Sequence, residues 1–142
     1  MQPTKSKIMQ LLLIEDNPAD SNLVEEALKE ARLDYSLQVF SDGATALEHI
    51  TRLDDDPAGA GPDLILLDLN LPKVNGEEVL KRIRLSRKCR DAKVMILSSS
   101  NAPTDREGAM KLGASEYFRK PSSLDQFMEL GLRVRSMLEK GS

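Results

Sequence analysis

Three runs of unbroken apolar residues, at 11–14, 64–67 and 94–97, each stop dead at a polar residue: Glu15, Asp68 and Ser98. A run this short is below helix length. With no polar interruption it suits a strand that is covered on both faces, as strands of parallel sheets are. Between the runs lie longer stretches whose apolar residues recur at helical spacing. That alternation narrows the chain to an α/β architecture with a parallel sheet between two layers of helices.

Residues 9–14 read as the first strand. Asn17-Pro18 then opens a helix with Leu23, Val24, Ala27, Leu28 and Ala31 on one face. Residues 35–40 alternate Tyr35, Leu37 and Val39 with polar neighbours, as a strand near a sheet edge does. Ser41-Asp42-Gly43 leads into a second helix carrying Ala46, Leu47, Ile50 and Leu53, and residues 54–63, rich in Asp, Gly, Ala and Pro, read as a loop insertion. After Asp68 a third helix runs from about Glu77 through Val79, Leu80, Ile83 and Leu85. A fourth spans roughly 106–112 and stops at Gly113. Tyr117-Phe118 forms a last short strand before Lys120-Pro121, and a final helix covers roughly 124–139.

At 142 residues the chain suits one domain. The expected layout is a short tail at 1–8, a single domain at 9–140 and no output domain. A net charge of −3 gives no electrostatic case for nucleic acid as the main partner. No apolar run is long enough to span a bilayer or to serve as a signal peptide. Cys89 is the only cysteine, which excludes an intrachain disulfide. These features together predict a cytoplasmic protein without a membrane or nucleic-acid partner.

Parallel strands bring their carboxyl ends to one edge, where sites of such sheets lie. Glu15-Asp16, Asp68, Ser98 and Lys120 therefore converge. Two carboxylates about 4 Å apart repel by roughly 4 kcal/mol at an effective dielectric near 20, so three need a cation or a proton among them. An all-oxygen, partly hydrated set suits Mg²⁺. Each residue alone could simply end a strand or cap a helix; acid, acid, hydroxyl and lysine at successive strand ends are harder to ascribe to chance.

The chain resembles the receiver domains of two-component response regulators over nearly its whole length. The acidic pair within residues 12–17, the segment 68–76 with Asp68, Pro72 and Gly76, the run Leu97-Ser98-Ser99, and residues 113–121 ending in Lys120-Pro121 carry the resemblance. The wording of residues 14–20 and 69–73 is similar to stand-alone receivers paired with phytochrome-type histidine kinases. The resemblance implies a flavodoxin-like, doubly wound (βα)5 fold with strand order 2-1-3-4-5.

It also implies roles. Asp68 is the phosphoacceptor, taking a phosphoryl group from a histidine kinase. Asp16 and Asp68 bind Mg²⁺ directly, Asn70 adds its backbone carbonyl, and Glu15 acts through metal-bound water. Lys120 pairs with the phosphoryl oxygens, aimed there by a cis bond to Pro121. Ser98 and Tyr117 form the switch, Tyr117 turning from an exposed to a buried rotamer. Asn70 and Ser100 occupy positions that tune phosphoryl lifetime. The signal leaves through the fourth helix, fifth strand and fifth helix, by contact with a downstream protein or by relay to a phosphocarrier. The family's commoner Asp-Asp pair is Glu15-Asp16 here, and its commoner Thr is Ser98.

Other residues read plainly. His49 is expected to be a solvated helix residue, Cys89 an inert surface or hinge thiol, and Asp54-Asp55-Asp56 a solvated loop. Phe127, Leu130, Val134, Met137 and Leu138 form the core face of the last helix. Met128 and Leu132 lie off it and hint at a homodimer through the fourth helix, fifth strand and fifth helix. Two rivals remain. A phosphatase working through an aspartyl phosphate would need a second acid where Asn70 stands, so an enzyme is not expected. A phosphorylation-independent interaction module on the same fold would not need Asp16, Asp68, Ser98 and Lys120 together.

Overall fold

The computed structural model describes residues 8–140; the expected tail lies outside these residues except for Ile8. Five strands alternate with five helices. They are β1 (Met9–Ile14), α1 (Pro18–Glu30), β2 (Tyr35–Phe40), α2 (Gly43–Asp55), β3 (Leu64–Asp68), α3 (Gly76–Leu85), β4 (Lys93–Ser98), α4 (Pro103–Lys111), β5 (Glu116–Arg119) and α5 (Leu124–Lys140). The strands form one parallel sheet in the order β2-β1-β3-β4-β5, as expected. No helix among the described residues is long and apolar enough to cross a membrane.

The period of two along each strand divides the core. Leu11 and Leu13, Leu64 and Leu66, Met95 and Leu97, and Phe118 pack with α1 and α5. Leu12 and Ile14, Ile65 and Leu67, Val94 and Ile96, and Tyr117 pack under α2, α3 and α4. β3 is buried at every residue because both layers cover it, which is why its sequence is unbroken apolar. β2 is at the edge, and Val39 there is 43% exposed despite its place in the alternation.

Helix ends follow local chemistry. Asn17 caps α1 by accepting from Ala19 N and Asp20 N, and Pro18 supplies the fixed φ of a first turn. Asn75 caps α3 through Glu78 N. α4 begins at Pro103, three residues before the predicted start, because a proline is tolerated there and the first turn holds no apolar residue to reveal it. Gly113 follows α4 with φ +104°, the left-handed conformation expected of a terminating glycine. Leu85, through which the third helix was expected to run, is the last residue of α3 and is 81% exposed.

Five further expectations are corrected. α2 runs on to Asp55 and takes the first two residues assigned to the loop. Asp54 is no solvated loop residue: it accepts from Ser86 Oγ at 2.7 Å, Lys88 N at 2.9 Å and Arg82 Nη2 at 3.1 Å. Cys89 is buried in the core beside Ser86, and burial pushes its thiol pKa up. His49 is half-buried against the Phe40 ring, 4.8 Å between centroids, and burial pulls its pKa down. The Lys120–Pro121 bond is trans, not cis, as the intrinsic preference of X–Pro bonds favours.

Asp54 predicts a measurable effect. Partial burial raises its carboxyl pKa, but the hydrogen bonds from Ser86, Lys88 and Arg82 outweigh this and hold it at about 2, below its ordinary 3.8. A carboxyl with a lowered folded-state pKa stabilises above its ordinary pKa and loses that contribution as pH falls through the folded value. Asp54→Ala strands the buried Ser86 hydroxyl and the Lys88 N–H, and should cost about 2 kcal/mol at pH 7. Urea melts at pH 7 and pH 3 should show the loss shrinking on the acid side.

Candidate functional site

The sheet register sets the site. Ile14 pairs with Leu67, Asp68 with Leu97, and Ser98 with Arg119, so the strands end within about one residue of each other. Glu15, Asp68 and Lys120 continue the rows that face α1 and α5. Ser98 continues the row of Val94 and Ile96, on the other face with Tyr117.

Lys120 is the centre of the first group. Its Nζ lies 2.7 Å from Glu15 Oε1, 2.8 Å from Asp20 Oδ2 and 3.0 Å from Asp68 Oδ2. The trans bond to Pro121 does not prevent this reach. Glu15 is only 1% exposed and Asp68 4%. Asp68 Oδ1 accepts from Asn70 N at 2.8 Å, and Glu15 Oε2 accepts from Asn17 N at 3.2 Å. Burial first, then the hydrogen bond and charge of nearby Asp68, raise the Glu15 carboxyl to about 7 against the opposing influence of Lys120. Burial alone would lower the Lys120 pKa, yet its bonds to Asp20, Glu15 and Asp68 hold it well above the ordinary lysine value.

Carboxylate oxygens of Glu15, Asp16 and Asp68 lie within 4.8 Å of one another. Asp16 is exposed and the other two are buried, so the group is open to water on one side. Three carboxylates surround one ammonium and Asp16 adds a fourth beside Glu15 and Asp68, and the excess negative charge with an all-oxygen donor set fits a hard divalent cation.

The second group is a chain of hydrogen bonds running away from Ser98. Ser98 Oγ accepts from Ser100 N at 3.0 Å, and Ser100 Oγ accepts from Ala102 N at 3.1 Å and reaches Asp105 Oδ2 at 2.5 Å. Tyr117 OH donates to Ser100 O at 3.1 Å, with its ring buried. The structure thus holds Tyr117 in the buried rotamer that the sequence assigned to the switched form. Asn70 and Ser98 share a cleft of about 230 Å³ with Leu69, Asn75, Glu77 and Asp105.

All the strand-end residues singled out from the sequence meet at one edge. Asp20 was missed: an acid in the first turn of a helix is explained by the helix dipole alone. Only the docking of α1 turns it toward Lys120. Asp105 was missed because the start of α4 was set too late.

The description "response regulator receiver domain" fits residues 11–130. Response regulator Rcp1 of Synechocystis sp. is 34% identical over 126 residues, covering 89% of this chain and 86% of Rcp1. The phosphorylated cyanobacterial phytochrome response regulator RcpA superposes with a TM-score of 0.83 at 29% identity, covering 96% of this chain and 97% of RcpA. The Mn²⁺-bound form of Rcp1 superposes with a TM-score of 0.78 at 33% identity, over 90% of this chain and 92% of that one. With its five-stranded order, its acidic cluster and its strand-end lysine, this chain belongs to the receiver-domain family of two-component response regulators.

Proposed function

We propose that the protein receives a phosphoryl group on Asp68 from a histidine kinase, in a reaction that requires Mg²⁺, and signals through its α4-β5-α5 surface. The observation that carries this reading is the position of Asp68. It is buried, with one oxygen held by Asn70 N–H and the other by Lys120 Nζ, beside an acidic set suited to a dication. An Asp68 oxygen attacks the phosphorus of a phosphohistidine, the P–N bond breaks, and its electron pair leaves with the imidazole as the aspartyl phosphate forms. Such transfer needs positioning and charge neutralisation above all. Asp16 and Asp68, with the Asn70 carbonyl, would hold Mg²⁺, and Glu15 would act through its water. The dication would neutralise charge on the transferring group. Lys120, released in part from its carboxylates, pairs with a phosphoryl oxygen. The Mn²⁺-bound form of Rcp1 supports a divalent ion in this role.

Ser98 is the hydroxyl that turns to the phosphoryl group. Its bond to Ser100 N, and those of Ser100 to Tyr117, Ala102 and Asp105, couple that movement to α4 and β5. Asn70 and Ser100 flank the acceptor and the switch hydroxyl, where they would tune phosphoryl lifetime. A groove of about 490 Å³, lined by Ser100, Ala102, Arg106, Tyr117, Phe118 and Arg133, follows the same surface and suits a downstream protein. Leu132, 61% exposed on α5, supports self-association there. The likeness to RcpA, a cyanobacterial phytochrome response regulator, supports a phytochrome-type kinase.

Incubation with Mg²⁺ and a small acyl phosphate, followed by intact mass, tests this reading. One added phosphoryl group is expected, and chelation of Mg²⁺ should abolish it. No gain would indicate an interaction module that works without phosphorylation. Rapid multiple turnover would indicate a phosphatase.

A further inference from the structure

The loop between β3 and α3, residues 69–75, follows Asp68 directly and is held in a costly shape. Lys73 has φ +69°, the left-handed region that residues other than glycine seldom adopt. Val74 N donates to Pro72 O at 2.8 Å, closing a three-residue turn of the strained positive-φ kind over Lys73. Such a conformation persists only where its surroundings over-determine it.

Two contacts hold it. At the end of the loop, a Cβ on Gly76 would stand 2.5 Å from Asp68 O and 2.6 Å from Leu69 Cα, and Gly76 N donates to Leu69 O at 3.0 Å. In the middle, Val74 lies on Gly43, the first residue of α2. A Cβ there would stand 2.4 Å from Val74 O and 2.9 Å from Val74 Cβ. One residue earlier, Asp42 Oδ2 meets Lys73 Nζ at 3.5 Å, an exposed pair that contributes little by itself.

We propose that the Asp42-Gly43 turn at the start of α2 is a positioning element for Asp68, in which Gly43 admits the backbone of Val74 and so seats the acceptor's loop. The nearest atom to a new Cβ is a backbone oxygen, so no side-chain rotation relieves the contact and the loop itself must shift. The loop is pinned at Gly76 against Asp68, and Asn70 N–H holds Asp68 Oδ1. A shift at Val74 therefore reaches the carboxylate that the acidic set and Lys120 share. Gly43 touches none of the reacting groups and acts only through the loop. This inference rests on the reading of Asp68 as a metal-binding phosphoacceptor.

The test is Gly43→Ala in the full chain, read by Mg²⁺ titration calorimetry, by amide signals of Asn70 and Gly76, and by phosphoryl uptake at saturating Mg²⁺. Positioning residues around metal ligands typically change affinity by roughly tenfold or more, and a rise of about that size in the Mg²⁺ Kd is expected, with both amide signals displaced. Val134→Ala, which weakens the core on the opposite face of the sheet, should lower Tm and leave Mg²⁺ affinity unchanged. If Gly43→Ala does not fold, Val74→Gly frees the same loop and carries the same prediction. An unchanged Mg²⁺ Kd in the variant that folds overturns the proposal. A wild-type chain that neither binds Mg²⁺ nor gains a phosphoryl group overturns the acceptor reading itself. A wild-type chain that does both, matched by Gly43→Ala, overturns the positioning role alone.

Discussion

Asp68→Asn should gain no phosphoryl group under conditions that label the wild-type chain fully. The amide keeps the volume and the hydrogen bond from Asn70 N–H, yet it has no anionic oxygen to attack phosphorus and brings no charge to a dication. The fold should survive, because residue 68 ends β3 and its backbone pairing is untouched by the exchange. A second readout is independent of phosphorylation. Asp68 contributes to the rise of the Glu15 carboxyl to about 7, through both a shared hydrogen bond and its charge. In Asp68→Asn that carboxyl should titrate lower than in the wild type, though still above its ordinary 4.5, because burial is the largest cause and remains. Carboxyl-detected NMR titration without Mg²⁺ measures it. An unmoved Glu15 would show that the two carboxylates do not interact as the geometry requires.

Lys120→Met should be the more damaging change for the unliganded protein. One ammonium serves Glu15, Asp20 and Asp68, all within 3.0 Å, and two of those acids are buried. Removing one partner of a buried ion pair costs roughly 3–5 kcal/mol when the remaining charge has no other relief. Here relief exists, because Glu15 already titrates near 7 and loses an opposing influence when Lys120 goes. The destabilisation should therefore be large at pH 8, shrink as pH falls through 7, and shrink again when Mg²⁺ is added. In the wild type the sign is set by the raised folded-state pKa of Lys120. Its stabilisation is fully present below the ordinary 10.5 and is lost only as pH rises through the higher folded value. Urea melts at pH 6 and pH 8, with and without Mg²⁺, check this. A pH-independent loss would point to packing of the lysine stem instead. Phosphoryl uptake should fall roughly 100-fold, the usual loss when one donor to a developing charge is removed.

The sheet was legible in the sequence because its interior strands are buried on both faces. Residues 11–14, 64–67 and 94–97 could not be apolar throughout and serve any other element of that length. The polar residue that ended each run was legible for the same reason. Asp68 and Ser98 are buried yet polar, and a polar side chain at the end of a buried strand needs a reason of its own. The exposed and edge segments were less legible. Val39 obeys the right period, but it lies on an edge strand and stays 43% exposed, and Leu85 is apolar yet off the helical period of Val79, Leu80 and Ile83. Asp54 looked like part of a solvated acidic run, since its partners Arg82, Ser86 and Lys88 are 28 to 34 residues away.

By itself, then, the sequence determined the alternation of strands and helices, the edge at which function gathers and the chemical types present there, because periodicity and residue chemistry are local properties. It could not determine which acid each cation meets. Lys120 lies 105 residues from Glu15, 100 from Asp20 and 52 from Asp68. Their convergence is decided by parallel register and by the docking of α1. Those depend on packing between distant elements, and only the tertiary structure supplies it.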